Sequence, residues 1–168
     1  MISTIALNLL LLQGITLHEG PKPDAAGMAA EYSDGVCRIS LFSKDSDGEQ
    51  IRAEFSRRLR DGNLGISLYG PFIQKFQDED RDAAHAVTIN FDNASSAASR
   101  SGGYDIGGFR QNIWGGWGPG EASDATYEQL SDATSFTVVM DGNRFGPFSV
   151  HREGAIYDAL DECEYKNS

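Results

Sequence analysis

From Thr126 to Cys163 the chain reads as a short helix, a β-hairpin and a closing helix, each marked by local signals. Phe136, Val138 and Met140 alternate with Thr137 and Val139, the period-two pattern of a strand with one face buried more deeply than the other. Asp141-Gly142-Asn143 interrupts that run with residues that tolerate the positive φ of a hairpin turn, so Phe145 to Val150 is expected to return antiparallel. Pro147 has no N–H to give to a ladder, which puts the return strand at a sheet edge or gives it a bulge near Gly146-Pro147. After Gly154, the residues Ala155, Ile156, Ala159, Leu160 and Cys163 fall on one side of a helix, and Asp158, Asp161 and Glu162 face away.

The same punctuation recurs upstream. Val36 to Phe42 alternates with Cys37, Ile39 and Leu41 on the inward face, and Lys44 to Glu49 is a turn by composition. Ile51 to Leu59 resumes as a second strand, Asp61-Gly62-Asn63 is another hairpin-type turn, and Leu64, Ile66 and Leu68 mark a strand that Gly70-Pro71 ends. Gln77 to Ala84 reads as a charged loop or short helix, Val87, Ile89 and Phe91 as a further strand, and Asn93 to Arg100 as a connection. Gly102 to Gly120 holds eight glycines and four aromatics, a composition that excludes a regular helix and reads as a loop. Asp124 or Thr126 is placed to cap the helix that follows, the latter with Gln129 at the capping-box position. The predicted architecture is mainly β: an antiparallel β-sandwich or partly open barrel with two short helices, the last one C-terminal.

A chain of 168 residues with 40% hydrophobic content is one domain with a core of useful size. Its net charge of −11 repels phosphate backbones and anionic membranes, so nucleic acid is not an expected partner and the charge reads first as a solubility feature. Ile5 to Leu17 is an almost uncharged run of about 13 residues, too short to span a bilayer and suited to the apolar region of a secretory signal. Gly27 and Ala29 satisfy a small-x-small cleavage site, which makes 1–29 the signal and 30–168 the single β-rich domain. A buried N-terminal strand or helix, or a misplaced start codon, is the competing reading. Cys37 and Cys163 are expected to form one disulfide in an oxidising compartment, against two buried thiols in a reducing one.

The motifs with chemical content are few. Ser43 to Glu54 has the outline of a calcium loop through Asp45, Asp47, Gly48 and Glu54, but Ser43 and Gln50 occupy ligand and near-ligand positions badly, so a hairpin turn is the better reading. The carboxylates of Asp78, Glu79, Asp80 and Asp82 point in different directions on any regular backbone and read as a solvated loop. His18, His85 and His151 are scattered, no strand-turn-helix nucleophile motif is present, and the glycines of 102–108 form no dinucleotide fingerprint. No catalytic residue, metal ligand or cofactor is therefore assigned. Tyr104, Phe109, Trp114 and Trp117 are the candidate ligand-binding residues, since glycine-rich backbone can present flat amphipathic rings to a partner. The plainer reading is that both tryptophans plug one end of the core.

Several segments from Leu64 onward resemble the invasion-associated locus B family of small exported bacterial proteins. They are Leu68-Tyr69-Gly70-Pro71, the Val87 to Asp92 strand, the short helix around Leu130, the Phe136 to Met140 strand, and Phe148-Ser149-Val150 followed by Ala155 to Leu160. The family's tryptophan before the first cysteine is Val36 here, and its central cysteine pair has no counterpart in Gly102 to Gly120. The resemblance implies a periplasmic or secreted β-rich protein and carries over no functional residues. The expectation is an exported, non-enzymatic binding or interaction protein with a protein or small-molecule partner. The alternative is a small hydrolase or other enzyme whose site assembles from residues distant in sequence.

Overall fold

The computed structural model describes residues 28–80 and 82–168; the proposed signal, apart from Met28 and Ala29, and His18 within it, lies outside the described residues. Among the described residues, ten strands form two antiparallel sheets. The larger contains β1 (Glu31–Ser33), β2 (Val36–Lys44), β3 (Gln50–Arg58), β4 (Leu64–Tyr69), β7 (Arg100–Ile106) and β8 (Phe109–Trp117), in the order β1-β2-β3-β4-β8-β7. The smaller runs β10-β9-β5-β6, from β5 (Val87–Phe91), β6 (Ser95–Ala97), β9 (Ser135–Met140) and β10 (Asn143–Ser149). The fold is thus a mainly β, sandwich-like pair of sheets and not a closed barrel.

The inward halves of the alternating patterns meet between the sheets. Phe55 of β3 meets the edge of Phe136 of β9 at 5.0 Å between ring centres, and Phe136 stacks on Phe148 of β10 at 5.1 Å. Ile39, Ile51, Ile66, Ile89, Ile113, Val138 and Met140 fill the same core. β10 is an edge strand whose register shifts between Phe145 and Phe148, as the missing N–H of Pro147 requires. The turn before it has positive φ at Asp141 and Gly142, the backbone expected there.

Three helical segments accompany the sheets, one more than expected. The additional one is a 3-10 segment, Pro71–Phe76, which sets Phe72 against Phe145 at 4.4 Å and covers one end of the core. Helix α1 (Glu121–Gln129) begins before the predicted caps: Gly120 is its N-cap, and Thr126 lies inside it, donating to the Ala122 carbonyl at 2.8 Å. Helix α2 (Ala155–Asn167) buries the predicted stripe of Ala155, Ile156, Ala159, Leu160 and Cys163. A disulfide joins Cys163 to Cys37 on the inward face of β2, with Cα atoms 6.0 Å apart. The guanidinium of Arg57 lies 3.9 Å above the Tyr127 ring and pairs with Glu164 of α2 at 3.0 Å, while burial pushes the Tyr127 phenol well above its ordinary pKa. Among the described residues, no helix is long and apolar enough to cross a membrane.

Two connections expected from the sequence are strands instead. The small polar segment before Arg100 contains β6, and most of the glycine-rich stretch is the β7–β8 hairpin. Its turn is Gly107-Gly108, both at positive φ, which gives the twist that tight antiparallel hairpins favour.

Candidate functional site

Each strand of the larger sheet turns alternate residues away from the core, and the cross-strand register assembles them into rows. One row runs Arg38, Ser56, Gly65, Gly116, Arg100; the next runs Ser40, Glu54, Ser67, Trp114, Gly102. Small residues in the middle of the first row, at Ser56, Gly65 and Gly116, leave a depression between longer side chains at its ends. The result is an open groove of about 400 Å³ on the outer face, walled by Arg38, Arg58, Tyr69, Arg100, Tyr104 and Trp114.

Trp114 lies across its two glycine neighbours. A methyl group at position 102 would stand 3.1 Å from the indole, and one at position 116 would stand 3.5 Å from it. The glycines therefore form a flat bed, and the half-buried ring offers its free face to the groove. Gly65 has a related role in the floor, since a Cβ there would come within 2.8 Å of the Ser56 hydroxyl.

The polar groups around the ring are unevenly matched. Glu54 is loosely surrounded, with Arg38 Nε and Arg52 Nη2 each at 4.0 Å and the Tyr69 hydroxyl donating at 3.4 Å. Arg52 stacks over Tyr69 at 3.8 Å, and Arg58 donates to Asp61 at 2.8 Å. Arg100 has no partner among the described residues. Three arginines and one carboxylate thus line the groove of a chain whose net charge is −11. Asn112, only 6% exposed, lines the same groove, and its Oδ1 meets no donor among the described residues; Asn63 Oδ1 is likewise unmatched. An unmatched buried acceptor is unfavourable by about 1–3 kcal/mol.

The four aromatic candidates separate. Trp114 and Tyr104 share the groove, and Tyr104 is 54% exposed. Phe109, 69% exposed, stands at the start of β8 beside a second hollow of about 510 Å³ that it borders with Pro71 and Gln77. Trp117 is 1% exposed and belongs to the core, as the plugging reading has it. An odd separation within one strand puts Trp114 and Trp117 on opposite faces, a signal present in the sequence once β8 is read as a strand. The groove's arginines and amides come from four strands and the β3–β4 turn, and no local motif joins them.

Distant residues also meet at His85. Its Nδ1 lies 2.8 Å from Asp141 Oδ2, its Nε2 lies 3.7 Å from Glu79, and the Phe76 ring packs edge-on at 5.5 Å. Ser101 is nearby, but its hydroxyl accepts from the His85 N–H at 2.6 Å and donates to the His85 carbonyl at 2.7 Å. The serine is thus bonded to main chain and not to the imidazole, and the His85 side chain is 3% exposed. Asp141 Oδ1 also accepts from the Ala86 N–H at 2.8 Å, so the cluster fastens the segment before β5 to β7 and to the β9–β10 turn. In the turn that resembled a calcium loop, Asp45 Oδ1 accepts from the N–H groups of Asp47 at 2.9 Å and Glu49 at 2.8 Å, the bonding of an ordinary Asx-type turn.

No family model matches the chain, and searches of curated proteins and of solved structures give no match.

Proposed function

We propose that the protein is an exported binding protein that holds its ligand in the outer groove of the larger sheet. The observation that carries this reading is the Trp114 ring, laid flat on Gly102 and Gly116 in the open groove that Arg100 also lines. A sheet face that only meets water has no need of a glycine bed under an indole. The apolar N-terminal run, the cysteine pair and the short segments that resemble the locus B family support export to the periplasm or beyond.

The binding reading is tested by thermal unfolding with a panel of soluble saccharides, nucleotides and aromatic acids. At least one class is expected to raise Tm, and the rise is expected to vanish in Trp114→Ala. A panel without effect, or a rise that survives Trp114→Ala, counts against the groove. Export is checked by the intact mass of the chain recovered from its native host, which is expected to lack the first 29 residues.

A further inference from the structure

We infer that the groove takes an acidic saccharide, a chain of pyranose rings bearing carboxylates; this rests on the binding reading above and adds the ligand class. Three independent features converge on it. The free face of Trp114 is flat and apolar, and the C–H face of a pyranose ring can lie on it as other apolar surfaces do. The groove floor is polar, with Ser56, Ser67, Asn63 and Asn112 among its lining, and hydroxyl-rich rings hydrogen-bond such groups where a simple aromatic acid does not. Arg38, Arg58 and Arg100 are donors with fixed charge, Arg100 without a partner, and a guanidinium matches the two oxygens of a carboxylate.

The shape agrees with a chain. The groove crosses β2, β3, β4, β8 and β7, and five strands at ordinary spacing extend over about 19 Å, room for several consecutive rings. It is open along its length, which admits the interior of a polymer as well as its end. The charge contrast sharpens the choice: an acidic protein repels polyanions over most of its surface and attracts them where arginines outnumber carboxylates.

The experiment is calorimetric titration of the full chain, disulfide intact, with three probes: polygalacturonate, its methyl ester, and dextran sulfate. Polygalacturonate is expected to bind, with affinity falling about tenfold in Arg100→Gln and falling as salt rises. The methyl ester keeps the hydroxyls and rings but loses the charge, and is expected to bind at least about tenfold more weakly. Trp114→Ala is expected to abolish measurable binding while its circular dichroism stays that of the parent, because the ring lies on an outer face. Equal binding of acid and ester overturns the acidic class and leaves the groove standing. Binding of polygalacturonate and dextran sulfate alike, unaffected by Trp114→Ala, reduces the effect to charge attraction and overturns both readings. Silence with all three probes overturns the saccharide, and a Trp114-dependent Tm shift with another class would then keep the groove.

Discussion

Along β2, β3, β4 and β8 the inward residues Ile39, Phe55, Ile66 and Ile113 are almost wholly removed from water, while their outward neighbours Arg38, Glu54, Ser67 and Trp114 form a depression. The inner face is apolar and its residues form one buried cluster with those of the other sheet. The outer face carries Trp114, Tyr104 and the arginines Arg38, Arg58 and Arg100 around a groove, and Arg100 has no partner among the described residues. Stability is therefore expected to reside in one face and ligand recognition in the other, although the same strands supply both.

The largest effect expected comes from opening Cys37–Cys163, which ties the inward face of β2 to α2 across a separation of 126 residues. In the chain-entropy view a loop of that length contributes about 4 to 5 kcal/mol, so reduction, or Cys37→Ser with Cys163→Ser, is expected to lower the urea midpoint steeply. A loss below about 1 kcal/mol would mean that packing alone fixes the end of the inner face.

Gly115 and Gly116 offer a finer comparison, because they are neighbours on opposite faces. A Cβ at 115 would stand 2.7 Å from Val87 in the core, and one at 116 would make ordinary contact at 3.5 Å with Trp114. Gly115→Ala is expected to destabilise by about 1–3 kcal/mol and Gly116→Ala by less than about 0.5 kcal/mol, read from the same denaturation curves. Equal losses would erase the distinction between the faces.

The smallest effect concerns Asp92, just after β5, whose carboxylate accepts from the Thr134 hydroxyl at 2.7 Å, the Thr134 N–H at 3.0 Å and the Ser135 hydroxyl at 2.9 Å. The Thr134 hydroxyl first, then that N–H and the Ser135 hydroxyl, hold its pKa below the ordinary 3.8. A carboxyl with a depressed folded pKa adds stability above its unfolded pKa, and that stability is lost as pH falls through the folded value. Acid unfolding of Asp92→Asn is thus expected to lose part of the pH dependence seen below about pH 4, with little change at neutral pH.

Much of the inner face was legible from alternation alone. The β9–β10 hairpin, the bulge at Gly146-Pro147, the α2 stripe and the facing cysteines all follow from residues adjacent in the chain. In the sequence the β7–β8 hairpin looks like a loop because Gly102, Gly103, Gly115 and Gly116 stand where a period-two pattern needs side chains, and glycine contributes neither an apolar nor a polar signal. Gly102 and Gly116 bed the Trp114 ring, so the groove hid part of its own signal, and Gly115 gives way to Val87 in the core. Its arginines are brought together only by strand order, which no single stretch encodes. The early start of α1 was missed for a related reason: its N-cap is Gly120, with no side chain to announce it.

The disulfide has a mechanical consequence. It lies close to both ends of the folded domain, so the shortest covalent path from Glu31 to Asn167 runs through the two sulfurs and bypasses the strands between them. A pull applied at the two ends is borne by that bond, and all that lies between Cys37 and Cys163, which is most of the groove and every strand but β1, hangs from it as an unloaded ring. A protein tethered at one end and tugged at the other would keep its groove in shape under a force that would otherwise peel β2 from β3.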